Sequence, residues 1–442
     1  MSKVSRLVTR SWVPEASEAL VRSIADTAAT RLPSDQIRRI GELIDLNRRT
    51  HAVDCVNLNP ATNTMSPRAE AALASGLGTR PSLGYPGAKY ETGLEAIEQV
   101  EVIAAELAAR VFDADFAEVR LPSGAIANLC AFMACARPGD PIIAPPATIA
   151  GHVTHHTPGA AGLYGLRVHE APVDATRYTV NVAALAALAR EVRPRVITIG
   201  GSLNLALHDV EGVRAVADDV GAIVLFDAAH LSGPIAGGAW PNPLAAGAHL
   251  MTMSAYKSLA GPPSGLLVTN DAELAQRVDR IVFPGLTANF DAAQTAALAI
   301  TLSEWIEVGR EHAAAMTETA ALLAAELLAR DVPVFRCDGT PTRSHAFAVD
   351  ARTFGGGHVL ARHLRRSNIL VSAIGLPSGL DDGIRVGTNE LVRWGATASD
   401  MPALADLLQR ALLTTDPDPV AADVTAFRAR FDQVHFTGSS ER

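Results

Sequence analysis

The chain has 442 residues, more than one hydrophobic core usually serves, so two packed domains or a large domain with an appendage are expected. Hydrophobic residues make up 48% of it and the net charge is -9 with both signs interspersed, which argues against a disordered chain and gives no footing for nucleic acid or an anionic membrane. The four cysteines, Cys55, Cys130, Cys135 and Cys337, lack zinc-ligand spacing and disulfide-scaffold density, so they read as reduced thiols of a cytoplasmic protein.

The N-terminus lacks the apolar core of a signal peptide, and no apolar run is long enough to span a bilayer. Helical periodicity then predicts two amphipathic helices, Ser17 to Arg31 and Ser34 to Arg48, the second carrying Ile37, Ile40 and Ile44 on one face behind a serine cap. Residues 1–56 are expected to form an arm on the body or on a second subunit. Another helix is predicted from Gly93 to Phe112. Short β-type runs follow, alternating with helices: Ala117 to Arg120, Pro141 to Ala144, Arg195 to Gly200, Ala222 to Phe226, His249 to Met253 and Gly265 to Val268. Their continuous apolar character suits strands buried on both faces, hence an α/β fold with a largely parallel sheet. This large domain is expected over 57–305. A long helix, Asp291 to Leu328, leads into a smaller α+β domain, 306–442, and the tail after Thr414 is expected to be loose.

Ligands of such sheets collect at the carboxyl ends of the strands. The run "AIVLF" ends in "DAAH", which puts Asp227 at a strand mouth and His230 just beyond it. "AEVR" is followed by "LPSGAIAN", where Ser123, Gly124 and Ala125 open a helix whose free N–H groups suit a phosphate. "HLMTMS" delivers a single lysine, Lys257, into a Gly/Pro-rich turn. A lysine for a Schiff base, a carboxylate for the pyridine nitrogen and an anion-binding helix start are the requirements of pyridoxal 5'-phosphate. Taken singly, each has a plainer reading: a solvated charge, an N-cap and a turn. Their order along successive strands favours the cofactor.

The chain also resembles the serine hydroxymethyltransferase family of fold-type I pyridoxal phosphate enzymes, from about Asn57 to Arg393. The motifs that carry the resemblance are "LGYPGAKY", "SGAIAN", "AGHVTHH", "FDAAHLSG", "AYKSLAGPPSG", "VFPG" and "GIRVGT". The resemblance implies that His152 stacks on the cofactor ring, that His230 meets its phenolic oxygen, that Ser202 neighbours the ring and that Arg385 holds the substrate α-carboxylate. It also implies a homodimer acting on a small amino acid.

The pattern breaks on the substrate side. The family glutamate before Gly-Tyr-Pro-Gly is Leu83, the tyrosine after that turn is Glu91, the histidine before the lysine is Tyr256, and Ser372 and Ile374 stand where amides would meet folate. A leucine transfers no proton, so Glu91 or Tyr256 is expected to replace that function, with a salt bridge from Glu91 to Lys89 or Arg80 as the structural alternative. The expected activity is making or breaking the Cα–Cβ bond of a β-hydroxy-α-amino acid, as an aldolase, transaldolase or modified hydroxymethyltransferase that does without tetrahydrofolate. A racemase or aminotransferase, in which Lys257 removes the Cα proton, is the second reading, and a non-catalytic pyridoxal phosphate-binding protein the third.

Overall fold

The computed structural model describes residues 5–439. A first unit ends at Cys55 and consists of two helices, α1 (Glu15–Thr30) and α2 (Pro33–Arg49), followed by a π-helical turn, Thr50–Asp54. Arg38 pairs with Asp35 and with Glu42 at 2.9 Å each, the three- and four-residue spacings that meet on a helix surface. Ser34 does not cap α2. Leu32 occupies the cap position and Pro33 the first turn, where a missing N–H costs nothing. Ile37, Ile40 and Ile44 are exposed.

From Val56 onward the chain forms a second unit around a seven-stranded sheet. In chain order its strands are β1 (Phe116–Glu118), β2 (Pro141–Ala144), β3 (Arg167–Glu170), β4 (Val196–Gly200), β5 (Ile223–Asp227), β6 (Leu250–Ser254) and β7 (Gly265–Thr269). Across the sheet they lie 1-7-6-5-4-2-3. The pairs from β3 to β6 are parallel, whereas β7 runs antiparallel to both of its neighbours. All five residues of β4, β6 and β7 are buried, so an apolar run reports burial on both faces and not strand direction. β3, with the sequence RVHE, has no fully buried residue and sits at the sheet edge, which is why apolar character did not reveal it.

Parallel pairing aligns the strand ends that build the site. Asp227 stands opposite Gly200 on β4 and Thr252 on β6. The helix α3 (Glu95–Phe112) buries Ile97, Ala104, Ala108 and Phe112, and α4 (Gly124–Cys135) buries most of its length. A 37-residue helix, α5 (Ala292–Leu328), starts at Asp291, whose carboxylate accepts from the N–H groups of Ala293 and Gln294. It leads to a three-stranded antiparallel sheet of β8 (Ala346–Asp350), β9 (Ser372–Leu376) and β10 (Gly379–Gly387), with β10 in the centre.

The tail departs from expectation. It forms a helix, Val420–Arg428, after which the His435 N–H donates to Arg393 O at 2.7 Å and the Phe436 ring stacks on His312 with centroids 4.6 Å apart. Apolar residues Val424, Phe427 and Phe431, hidden among polar ones, supply the burial that holds it. All four cysteines are buried, and burial pushes the Cys130 thiol up to about 12. Among the described residues no helix is long and apolar enough to cross a membrane.

Candidate active site

The tips of β4, β5 and β6 meet the start of α4 over the expected cluster. Asp227, the last residue of β5, is buried. Its Oδ2 accepts from Asn128 Nδ2 at 3.1 Å and lies 2.9 Å from His155 Nε2, while Oδ1 accepts from the Ala229 N–H at 3.0 Å. Burial would raise this carboxyl. The hydrogen bond and Coulombic pull of His155, with help from His152 and the Ala229 N–H, outweigh it and hold the group well below the usual carboxylate range. Asp227 therefore stays ionised in a dry environment.

Asn128 is fixed in turn. Its Oδ1 accepts from Thr252 Oγ1 at 2.6 Å and its Nδ2 also donates to Thr154 Oγ1 at 2.9 Å. Thr154 Oγ1 lies 2.7 Å from His152 Nδ1, so one network joins Asp227 to the half-buried His152. Burial is the main cause that brings His152 down to about 4; Asp227 opposes it and Lys257, His155 and Arg385 add to it. The imidazole is therefore neutral at pH 7.

Lys257 follows β6 by three residues and is 6% exposed. Among the described residues its Nζ has no hydrogen bond or ion pair; it stands 5.9 Å from the centre of the Tyr256 ring. Burial lowers its amine to about 8, with Asp227 opposing and Arg385 assisting. At the start of α4, Ser123 Oγ accepts from the Ile126 N–H at 3.2 Å, while the first helical N–H groups have no partner within the helix. A Cβ on Gly124 would come within 2.2 Å of Ser254 Oγ and one on Gly265 within 2.3 Å of Ser123 O. Glycine at both places lets the helix start press against β6, which delivers Lys257, and against the start of β7.

Arg385, on β10, donates through Nε to Ser372 Oγ at 2.7 Å and through Nη1 to Ser202 O at 2.8 Å; Nη1 is also 3.3 Å from His230 Nε2. Burial lowers its guanidinium to about 10, and no carboxylate pairs with it among the described residues. Thus Lys257, Tyr256, His152, Asp227, His230, Ser202 and Arg385 are gathered in one place. Glu91 is not among them. Its Oε2 accepts from the Leu83 N–H at 3.3 Å within its own hairpin. The salt bridge expected for it is absent too, because Lys89 turns instead to Glu101 at 2.6 Å.

A family model, Serine hydroxymethyltransferase, matches residues 36–408. The chain belongs to the serine hydroxymethyltransferase family. It is accordingly a pyridoxal phosphate-dependent transferase or lyase. Among similar family members, the alpha-methylserine aldolase of Variovorax paradoxus is 56% identical over 434 residues, 97% of this chain and 98% of that one. The alpha-methylserine aldolase of Ralstonia sp. is 51% identical over 435 residues, 97% and 99% of the two chains. The serine hydroxymethyltransferase of Pyrobaculum islandicum is 35% identical over 406 residues, 91% and 94%. Sequence reasoning within this family missed three polar groups at the site: His155, Asn128 and Ser264, whose Oγ, beside Gly265, is buried without a hydrogen-bond partner among the described residues.

Proposed function

We propose that the chain is a folate-independent aldolase that cleaves the Cα–Cβ bond of α-methylserine, giving alanine and formaldehyde. The observation that carries this reading is a pair of cationic side chains, the buried Lys257 and the half-buried Arg385, without a carboxylate partner among the described residues. Unpaired burial of that kind is costly and calls for ligands: an aldehyde cofactor at the lysine and a carboxylate at the arginine. The residues fit pyridoxal phosphate, since Ser264 Oγ and His230 Nδ1 are buried without hydrogen-bond partners among the described residues and Gly124 keeps the helix start clear.

When bound, the cofactor supplies a sink for the electron pair left on Cα. Asp227, ionised and rigidly held, keeps a proton on the pyridine nitrogen. Ser123 and the N–H groups of Gly124 and Ala125 bind phosphate, and the neutral His152 ring stacks. Arg385 orients the carboxylate through its free edge, and the hydroxyl of the exposed Tyr256, beside Lys257, relays the β-hydroxyl proton, accepting it as its own passes to solvent. The carbon skeleton narrows the reaction further. α-Methylserine has no Cα–H, so racemisation and transamination are closed to it, and a carboxylate held by Arg385 is not the leaving group. Only the hydroxymethyl arm carries a hydroxyl whose deprotonation releases a neutral carbonyl. The names borne by relatives at 51–56% identity agree.

Formaldehyde release from each α-methylserine enantiomer and from serine, with and without tetrahydrofolate, tests the proposal. Release from serine alone, and only with folate, would make this an ordinary hydroxymethyltransferase. The setting proposed is a cytoplasmic homodimer, with 57–305 as the cofactor-binding domain and 306–442 as the smaller one.

A further inference from the structure

We propose that Ser372 and Asn59 are positioning residues that hold the Arg385 guanidinium for the substrate carboxylate, which rests on the carboxylate role given to Arg385 above. Ser372 lies directly opposite Arg385 on the neighbouring strand β9. Arginine only donates, so Ser372 Oγ must accept the Nε–H at 2.7 Å, and its own proton points away, to Asn59 Oδ1 at 3.0 Å. Asn59 Oδ1 also accepts from the Ala61 N–H at 3.2 Å, which fixes the oxygen of that amide on the Ser372 side. The Asn59 N–H donates to Asn57 Oδ1 at 3.1 Å, and Asn57 Nδ2 donates to the buried Glu390 Oε2 at 2.7 Å. A directed series of hydrogen bonds therefore runs from the guanidinium to a buried carboxyl on the helix after β10.

The series settles which edge of Arg385 faces the ligand. Nε is spent on Ser372 and Nη1 on Ser202 O and His230 Nε2, so the guanidinium plane is held at three points. Nη2 makes no hydrogen bond among the described residues, and its two N–H groups are the edge left to meet a carboxylate. Without the Ser372 anchor the side chain swings about the Nη1 contacts, and the Nη2 edge must be ordered when the substrate arrives.

The test uses the holoenzyme, with Kd for L-alanine read from the absorbance of the bound cofactor and kcat and KM measured on α-methylserine. Ser372→Ala should raise both Kd and KM by about ten-fold, as expected for a lost hydrogen bond to a charged group, with a much smaller change in kcat. Ser372→Thr, which keeps the hydroxyl, should restore them. Asn59→Ala should act in the same direction, and the double variant should be no worse than Ser372→Ala, because the two residues act in series. Values of Kd and KM within two-fold of the parent in Ser372→Ala, failure of Ser372→Thr to restore them, or additive effects in the double variant would overturn the positioning role. Arg385→Ala separates the two layers. Unchanged alanine affinity in that variant would remove the carboxylate role itself, whereas a loss there without one in Ser372→Ala would remove only the role of Ser372.

Discussion

Replacing Asp227 with Asn tests the electrostatics of the site without the cofactor. The carboxylate accepts from Asn128 Nδ2 and the Ala229 N–H and lies 2.9 Å from His155 Nε2. An amide has one acceptor oxygen, so its NH2 must face either Asn128 and His155 or the Ala229 N–H. The variant loses at least one charge-assisted hydrogen bond and leaves opposed donors in a buried place, together about 2–4 kcal/mol. The pH dependence follows from the direction of the shift. A carboxyl held below its unfolded value of about 3.9 contributes stability that is fully present above that value and is lost as pH falls through the folded value. The stability difference between parent and variant should thus be complete from pH 5 to 7 and shrink below about pH 4. Urea unfolding of the cofactor-free proteins across that range measures it. Equal stability at pH 7, or a difference that grows on acidification, would refute the reasoning. The loaded variant should also lose turnover by about a hundred-fold or more, as when one preorganised electrostatic partner is removed.

Borohydride reduction of the loaded enzyme followed by peptide mapping should label Lys257, and Lys257→Ala should abolish both label and turnover; a label on another lysine would reassign the site. Because only a neutral amine attacks an aldehyde, cofactor capture by the empty protein should rise with pH and level off above about pH 8, not near the ordinary lysine value. Arg385→Lys should raise the amino acid Kd by roughly ten- to hundred-fold, since lysine keeps the charge and loses the fork, measured by cofactor absorbance. Tetrahydrofolate should neither bind saturably nor change the rate of formaldehyde release, because Leu83 and Ile374 offer a pterin no polar partners; a saturable spectral response would refute this.

Sequence logic reached Lys257, Asp227 and Ser123 because each stands at or beside a strand end marked by a change from apolar to polar residues, and Arg385 only through the resemblance carried by "GIRVGT". It passed over His155, three residues from His152 in "HVTHH", because a short 3-10 turn sends the two rings to different tasks: His152 to the Thr154 hydroxyl, His155 to Asp227. Asn128 lay inside a quoted motif without a role, since its partner Thr252 is 124 residues away and only strand register brings them together. The ion pair allowed between Glu91 and Lys89 is missing for a related reason: the lysine is claimed by Glu101 on α3, a contact that local spacing does not reveal. The direction of β7 was equally hidden, because burial on both faces leaves the same apolar pattern whichever way a strand runs.

The long helix α5 carries a consequence for what the site can accept. Near its middle, Trp305 Nε1 donates to Leu259 O at 2.7 Å, two residues beyond Lys257. About 21 Å further along, Thr319 Oγ1 donates to Thr388 Oγ1 at 2.9 Å, three residues beyond Arg385. The loop of the lysine and the strand of the arginine are mounted as two brackets on one beam, and a continuous helix neither stretches nor shortens. Under the roles proposed for Lys257 and Arg385, the gap between the amine site and the carboxylate site is then of constant width, so a methyl branch at Cα adds bulk across it and no length along it.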